Sequence, residues 1–460
     1  MKGFGKAAFS ALLLAGVSSL PLQADAQTLE EALSAAYANN PTLQAQRAAL
    51  RAVDEGLPQA RSGWRPTVTL LGDLGKKRIK SDTPTVDADW DTRTTYSGTL
   101  QVTQNLYAGG GTEAGVAKAE SDILSQRSRL RSTEQTILLR AATAYLDVYR
   151  DSAVLELNIQ NEARLAKQLE ATRDRFEVGE VTRTDVAQAE SRVSRARADR
   201  ISAQGALETS RAVYEQIVGE QPKDLAKPDF AVNLPTSRDE AVTLATDRNP
   251  DVAASVYDRE SALHQVRAQV ADLLPSVDLT GSASRARNKS GNDTTVDDMT
   301  IEASVSIPVY QAGFETSQVR QAKQTVAQSS KQIEEARRTS IESATSSWED
   351  YQTALAEIRA YEEEVRATTI ALEGVQQEAS VGSRTVLDVL DAQQELLNAN
   401  VSLVRSQRDE LVAQFGLLAA VGGLTAKEIG LGIDYYDETD HYNRVKDKWW
   451  GLGDDLPKYE

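Results

Sequence analysis

Two long stretches without proline limit the folds that this chain can adopt. Residues 113–176 contain no proline and a single glycine, Gly115, and residues 315–380 contain no proline and only Gly374. Because proline and glycine are the poorest helix formers, each stretch predicts one uninterrupted helix. At 1.5 Å per residue such a helix is ~90 Å long, and no single globular core requires that length. An ordinary soluble coiled coil would satisfy the same pattern.

Apolar residues near the end of the chain recur every seven positions. The series is Leu390, Leu397, Val404, Leu411 and Leu418. A seven-residue repeat keeps one apolar seam facing a neighbouring helix and favours left-handed supercoiling. The pattern therefore predicts helices that pack in pairs.

Short motifs of the first half recur in the same order about 200 residues later. Asn-Pro at 40–41 returns at 249–250, and VGEVTRTDVAQA at 178–189 corresponds to VGSRTVLDVLDA at 381–392. Such self-similarity predicts two tandem copies of one structural unit. We expect a first repeat at residues 27–220, a linker at 221–235, a second repeat at 236–430 and an acidic, aromatic C-terminal tail at 431–460.

Each repeat also contains segments in which apolar and polar residues alternate. The clearest are residues 96–106 and 299–309, with weaker partners at 68–74 and 277–283. A period of two over about ten residues is typical of a membrane-spanning strand, although a half-exposed soluble sheet gives the same alternation. We expect strands near residues 66–74, 96–107, 276–284 and 299–310, joined in pairs by polar loops at 76–93 and 285–298.

The charge and the cysteine content exclude several classes of function. The formal net charge is -17, which argues against nucleic-acid binding because that activity requires a basic face. The chain has no cysteine, so disulfides, thiolate chemistry, cysteine-bound zinc and a lipid-modified N-terminal cysteine are excluded.

The first 26 residues predict a secretory signal peptide. Lys2 and Lys6 precede an apolar run at residues 7–17, and the small residues Ala24 and Ala26 suit a cleavage site before Gln27. No later segment has the ~20 apolar residues of a transmembrane helix. We therefore expect an exported protein in which any membrane span is made of strands.

Spanning strands would require several copies of the chain. Four strands cannot close a barrel, and lipid does not tolerate an open sheet edge. Two copies would give 8 strands, which side chains tend to fill, whereas three copies would give 12 and leave room for a lumen.

Three motifs and the two Asn-Pro starts resemble the TolC family of outer-membrane efflux proteins. The motifs are LYAGG at 106–110, PVYQAG at 308–313 and, most specifically, VGSRTVLDVLDAQ at 381–393. The resemblance covers about residues 28–430. It implies an α+β membrane protein, a homotrimer whose 12-stranded transmembrane β-barrel takes four strands from each chain. A long antiparallel α-helical coiled-coil tunnel would continue this barrel into the periplasm.

The resemblance also implies a function and partners. Proteins of this family are passive exit ducts in the outer membrane, recruited by a periplasmic adaptor protein and an inner-membrane transporter of the ABC or RND type. They export proteins by type I secretion, or small toxic compounds, and need no cofactor, metal or enzymatic activity. The alternatives are a soluble periplasmic coiled-coil scaffold or chaperone, and an autonomous porin. A long helical tunnel with a narrow charged tip argues against a porin, because a simple pore needs neither.

Gly179 and Gly382 interrupt helical stretches at equivalent places. Glycine allows the sharp reversal of a helical hairpin, so both hairpin tips should lie at the end opposite the strands. Asp388 and Asp391 then begin the returning helix, where the helix dipole favours carboxylates; that alone would explain each of them. The resemblance assigns them to an acidic ring at the periplasmic entrance. In a trimer they would form two three-membered rings, whose like charges attract cations and raise one another's pKa.

The resemblance places a gate latch beside this ring. Arg384 and Asp185 match an arginine and an aspartate that link neighbouring hairpins and hold the entrance shut, with Arg183 and Thr184 as further partners. The alternative is that these are solvated surface charges, which contribute almost nothing to stability. Ala379 departs from the family pattern, since some members carry a tyrosine there that supports the latch.

The remaining motifs do not predict chemistry. GGGTEAGVAK at 109–118 lacks the Lys-Ser/Thr pair of a phosphate-binding loop. His264 and His441 lie in different kinds of segment with no histidine partner, which argues against a metal site. The aromatic tail, DYYDETDHYNRVKDKWW at 434–450, is expected either to pack around the middle of the tunnel or to be disordered.

Overall fold

Long antiparallel helices lead away from one small four-stranded sheet. The computed structural model describes residues 26–80, 89–228 and 233–452. Residues 1–25 of the predicted signal peptide, part of the predicted linker and the last eight residues of the tail lie outside these ranges. Within them no helix is both long and apolar enough to cross a membrane.

The two halves of the chain follow one order of elements. The first half contains α1 (Leu29–Asn39), α2 (Pro41–Asp54), α3 (Gly56–Arg61), a short 3-10 turn (Ser62–Trp64), β1 (Thr67–Ile79), β2 (Asp91–Ala108), α4 (Gly111–Glu177) and α5 (Arg183–Val218). The second half contains α6 (Arg238–Arg248), α7 (Pro250–Ala271), β3 (Ser276–Arg287), β4 (Thr295–Ser306), α8 (Phe314–Ser380) and α9 (Val386–Ala420). The tail adds α10 (Asp440–Val445).

The Asn-Pro pairs begin helices α2 and α7. The side chain of Asn40 accepts hydrogen bonds from the backbone N–H groups of Thr42 and Leu43, at 3.0 and 3.3 Å. Asn249 does the same in the second half, at 2.8 and 3.3 Å. The proline that follows occupies a position where the missing N–H has no helical partner to lose. Each pair therefore ends one helix and starts the next.

The two proline-free stretches form the two longest helices, as predicted. Helices α4 and α8 each have 67 residues, which corresponds to ~100 Å. Each follows a glycine in the left-handed conformation, Gly110 with φ 83° and Gly313 with φ 82°. These glycines turn the chain from the sheet into the helix.

The long helices pack as two hairpins lying side by side. Helix α4 packs on α5, α8 packs on α9, and α9 also packs on α4. The main core lies where α1, α2, α4, α5 and α9 meet, around the fully buried side chains of Tyr145, Tyr214 and Phe415. A smaller cluster around Leu165, Ala189 and Leu390 holds the far ends of the hairpins together.

The four strands form one antiparallel sheet in the order β1-β2-β3-β4. They extend further into the predicted loops than the sequence suggested, because polar residues there pair across strands. Arg285 of β3, for example, makes two hydrogen bonds to Asp297 of β4 at 2.7 and 2.8 Å. β4 ends earlier than expected, at Ser306, just before Pro308, whose ring removes a backbone donor.

Gly109 lies at the junction between sheet and helix, where the chain packs closely against Ala271. Its φ is 60°, and a Cβ there would lie 2.6 Å from the carbonyl oxygen of Ala271. Gly110 also has a positive φ but has open space around a Cβ. Gly110→Ala should lower the free energy of unfolding by about 1 kcal/mol, because alanine is strained at this positive φ. Gly109→Ala should cost roughly 1–3 kcal/mol more, because it also overpacks the junction.

Denaturant titration followed by far-ultraviolet circular dichroism measures both variants, with Gly110→Ala as the matched control. Equal losses in the two variants would show that the contact with Ala271 does not constrain this junction.

Candidate functional site

Both hairpins turn on a glycine at the end farthest from the sheet. Gly179 has φ 79° and Gly382 has φ 80°, and a Cβ at either position would meet no atom within 4 Å. Glycine is therefore required by the backbone conformation rather than by space. The N–H of Glu180 donates to the carbonyl of Arg175 at 2.9 Å, and that of Ser383 to Glu378 at 3.0 Å. These bonds satisfy carbonyls that the helix ends leave open.

The helix that leaves each tip begins with the same capping box. In the second hairpin the backbone N–H of Thr385 donates to Asp388 at 2.9 Å, and the N–H of Asp388 donates to the Thr385 hydroxyl at 3.3 Å. In the first hairpin Thr182 and Asp185 make the equivalent bonds at 2.8 and 3.3 Å. Reciprocal bonds of this kind satisfy two backbone donors that otherwise have no partner.

The capping box sets the charge state of Asp388. The backbone N–H of Thr385, helped by its hydroxyl, lowers the pKa of Asp388 from its usual value because both bonds favour the ionised carboxylate. Within one chain this effect is opposite to the increase expected from like charges in neighbouring copies.

Asp391 has a partner that the sequence reasoning missed. It forms an ion pair with Arg192 of α5, so that the pair joins the two hairpins of one chain. The tandem repeat contained a usable signal, because it aligns the start of α5 with the start of α9. Arg192 lies one helical turn after Gln188, the position that corresponds to Asp391. Helices that begin at the same level bring such residues together.

The residues of the predicted latch lie close together but do not pair directly within one chain. Nε of Arg384 donates to Glu378 of its own hairpin at 2.8 Å, and this carboxylate raises the pKa of Arg384. Asp185 is engaged in its capping box. Arg183 and Thr184 lie exposed in the first turn of α5.

A cavity of about 550 Å³ separates the two hairpin tips. Both Asp185 and Arg384 line it, together with Ala379. The small side chain of Ala379 leaves open the space that a larger residue at this position would occupy. The two latch residues thus face one gap from opposite hairpins.

The comparisons with known proteins agree with this architecture. The chain matches the family described as outer membrane efflux protein over residues 32–220 and 241–423. The chain belongs to this family. It is an outer-membrane protein, and proteins similar to it are outer membrane efflux proteins.

Two relatives and one solved structure illustrate the similarity. The outer membrane efflux protein BepC of Brucella suis is 37% identical over 444 residues, covering 96% of each chain. The outer membrane protein TolC of Escherichia coli is 28% identical over 433 residues, covering 91% of this chain and 86% of TolC. The CmeC outer membrane channel of Campylobacter jejuni shares the fold, with a TM-score of 0.77 at 14% identity over 97% of this chain and 98% of CmeC.

The histidines lie away from the tips. His264 stands 3.4 Å from Arg267, and His441 stands 3.2 Å from Asp54. In the part of the chain that the structure describes, no group of histidine, aspartate and glutamate side chains is arranged to hold a metal ion.

The capping boxes lead to a prediction about the stability of the tips. Thr385→Ala should speed backbone hydrogen exchange in the first turn of α9 roughly five-fold, the factor that corresponds to about 1 kcal/mol of lost capping energy. Thr182→Ala is the matched control and should affect only α5. Exchange measured by mass spectrometry after proteolysis resolves the two segments. Equal changes at both tips in either variant would contradict independent capping.

The same box predicts a pH dependence. Because the pKa of Asp388 is lowered, its contribution to stability is present above the ordinary aspartate pKa and is lost as pH falls through the lowered value. After correction for intrinsic rates, exchange at the start of α9 should stay constant through mildly acidic pH and rise only in strong acid. In Asp388→Asn this acid-induced rise should be absent.

Proposed function

We propose that three copies of this chain form an export duct through the outer membrane. The observation that carries the proposal is a sheet with one apolar and one polar face, placed at the end of two helical hairpins that each contain one 67-residue helix. Cargo would diffuse through the lumen, and no bond in it would be made or broken. The duct would serve type I protein secretion, the efflux of small toxic compounds, or both.

The faces of the sheet follow from its register. Partners directly opposite each other in neighbouring strands point to the same side of a sheet. One side carries the cross-strand rows Val68–Val102–Gly281–Ile301 and Leu70–Leu100–Ala283–Met299. The other side carries the rows Thr67–Thr103–Thr280–Glu302 and Thr69–Gln101–Ser282–Thr300. Such a sheet suits lipid on one side and water on the other.

The exposure of the apolar rows supports lipid as their environment. In a single chain the side chains of Leu70, Met299 and Ile301 are 79%, 88% and 84% exposed. Large apolar side chains that are left in water in a continuous patch mark a surface meant for a partner or a membrane.

The edges of the sheet require further copies. β1 and β4 are the outer strands, and their free backbone groups could not be left unpaired in lipid. Three copies placed edge to edge would make 12 strands, a number that leaves an open lumen. The helical hairpins of the three copies would then form the wall of a periplasmic tunnel.

The hairpin tips would close the far end of the tunnel. Asp388 and Asp391 would stand in rings around its entrance, and Arg384, Asp185, Arg183 and Thr184 would link neighbouring hairpins as a latch. A periplasmic adaptor and an inner-membrane transporter of the ABC or RND type would engage the tips and open them. Similarity to TolC and BepC supports partners of this kind.

Single-channel conductance in a planar bilayer tests the entrance. The wild-type protein should give small, cation-selective openings, and Asp388→Asn/Asp391→Asn should lose much of that selectivity because the rings lose their charge. Thr182→Ala is the matched control. It weakens the equivalent capping box of the first hairpin without changing the charge of a ring or latch residue.

The outcomes of this measurement distinguish the assignment of the acidic ring from the proposal of a duct. Pores with unchanged selectivity in the double variant would overturn the assignment of the ring but keep the duct. A folded protein that forms no pore, and that leaves the membrane fraction without detergent, would favour the soluble scaffold.

Arg192 should modulate the same selectivity. Its positive charge compensates Asp391 within one chain, so Arg192→Gln should increase the preference for cations and loosen the contact between the hairpins. Arg197→Gln, which removes an arginine paired with Glu162 farther along α5, controls for the loss of one positive charge. If both variants behave as wild type, the pair with Asp391 does not influence the entrance.

A further inference from the structure

The C-terminal tail binds along the first helices in a fixed register. The backbone N–H of Tyr436 donates to the hydroxyl of Tyr37 at 3.0 Å, and the guanidinium of Arg47 lies 5.1 Å from the ring of Tyr436. Farther along, Nδ1 of His441 lies 3.2 Å from Asp54 at the end of α2. The tail thus runs in the same direction as α2.

Two arginines continue this register beyond α2. Nη1 of Arg61 donates to the carbonyl of Lys446 at 2.9 Å and to the carboxylate of Asp447 at 2.7 Å. Nη1 of Arg65 donates to the carbonyl of Lys448 at 2.6 Å, and its guanidinium stacks on the ring of Trp449 at 4.8 Å. Because Arg65 lies two residues before β1, the tail is led to the base of the sheet.

Three of the five tryptophans of the chain lie near this base. Trp449 and Trp450 are 69% and 90% exposed, and Trp64 is 47% exposed. The side chain of Gln104 donates to the carbonyl of Trp64 at 3.1 Å and so fixes the turn against β2. Indole rings that served a core would be buried, and these are held at the surface.

We propose that Trp449 and Trp450, with Trp64 beside them, form an anchor in the headgroup region of the outer-membrane leaflet that faces the periplasm. The proposal rests on the proposed function, in which the sheet spans that membrane. Tryptophan prefers the boundary between hydrocarbon and water, because its ring is apolar and its N–H is polar.

Two further observations favour lipid over a second protein as the partner. Trp64 precedes Val68, the first member of the apolar face, by four residues, so the tryptophans lie beside the end of that face nearest the helices. Asp447 is paired with Arg61, while Lys448 next to the indoles is exposed. Such a basic residue suits the phosphates of a headgroup layer.

Quenching of tryptophan fluorescence by brominated phospholipids tests the anchor. Trp64→Phe/Trp90→Phe/Trp348→Phe retains the two tail tryptophans of the full chain. Trp64→Phe/Trp90→Phe/Trp449→Phe/Trp450→Phe retains only Trp348, which packs against the main core on α8 and serves as the control. Both proteins are reconstituted in phosphatidylethanolamine vesicles brominated either near the headgroup or near the chain end, and their conductance is measured in parallel.

We expect lipid brominated near the headgroup to reduce tail fluorescence roughly two-fold more than lipid brominated at the chain end, since interfacial indoles lie at headgroup level. Neither brominated lipid should quench the fluorescence of Trp348. Conducting protein whose tail tryptophans are not quenched by either lipid would overturn the anchor and leave the duct in place. If acrylamide in water also fails to quench them, a neighbouring copy covers them. Protein that neither conducts nor is quenched would overturn both proposals.

Arg65→Gln tests the positioning of the tail in the same vesicles. Loss of the contacts to Lys448 and Trp449 should reduce quenching by headgroup-brominated lipid. Arg78→Gln is the matched control, because Arg78 stacks on Trp90 at 4.7 Å at the opposite end of β1. Reduced quenching in both variants would show that Arg65 has no specific role, and an unchanged Arg65→Gln protein would show that the tail reaches the membrane without it.

Discussion

The free backbone groups at the two edges of the sheet are the constraint on which the rest of the molecule depends. A four-stranded sheet with one apolar face cannot be stable alone in lipid, because β1 and β4 each leave a row of donors and acceptors unpaired. Water on both sides would satisfy the edges but leave Leu70, Met299 and their neighbours exposed. In the proposed duct, pairing between the edge strands of neighbouring copies would satisfy both requirements at once.

Helices α4 and α7 pack closely through small polar side chains. Helix α4 meets α7 through polar contacts in which Ser125 donates to Asp258 at 2.6 Å and Ser261 donates to Asp122 at 2.5 Å. A serine from each helix thus bonds a carboxylate of the other. Such contacts let backbones approach closely without bulky apolar residues, which agrees with an aromatic content of only 5%. The largest buried core surrounds Tyr145 and Phe415, and two smaller clusters lie around Leu165 and Ile123.

Local patterns predicted most of the fold and part of the candidate site. The absence of proline located α4 and α8, and Gly179 and Gly382 located the two tips, because these signals are properties of short segments. The extent of the strands was underestimated, since pairs such as Arg285 and Asp297 stabilise the ladder only once the strands lie side by side. The course of the tail could not be predicted either, because Arg61 and Asp447 are 386 positions apart in sequence.

The charged residues proposed to form the ring and the latch include three that are already paired within one chain. Asp388 already has a partner within its own chain, and so has Asp391; Arg384 is likewise engaged, by Glu378. A latch between neighbouring copies would therefore form by exchange of partners rather than by pairing of free charges. Exposed ion pairs contribute ~0–1 kcal/mol each, so the exchange changes the free energy only slightly in either direction. A gate built from such exchanges can be opened by a partner that prefers the open state by a few kcal/mol, and it needs no chemical energy of its own.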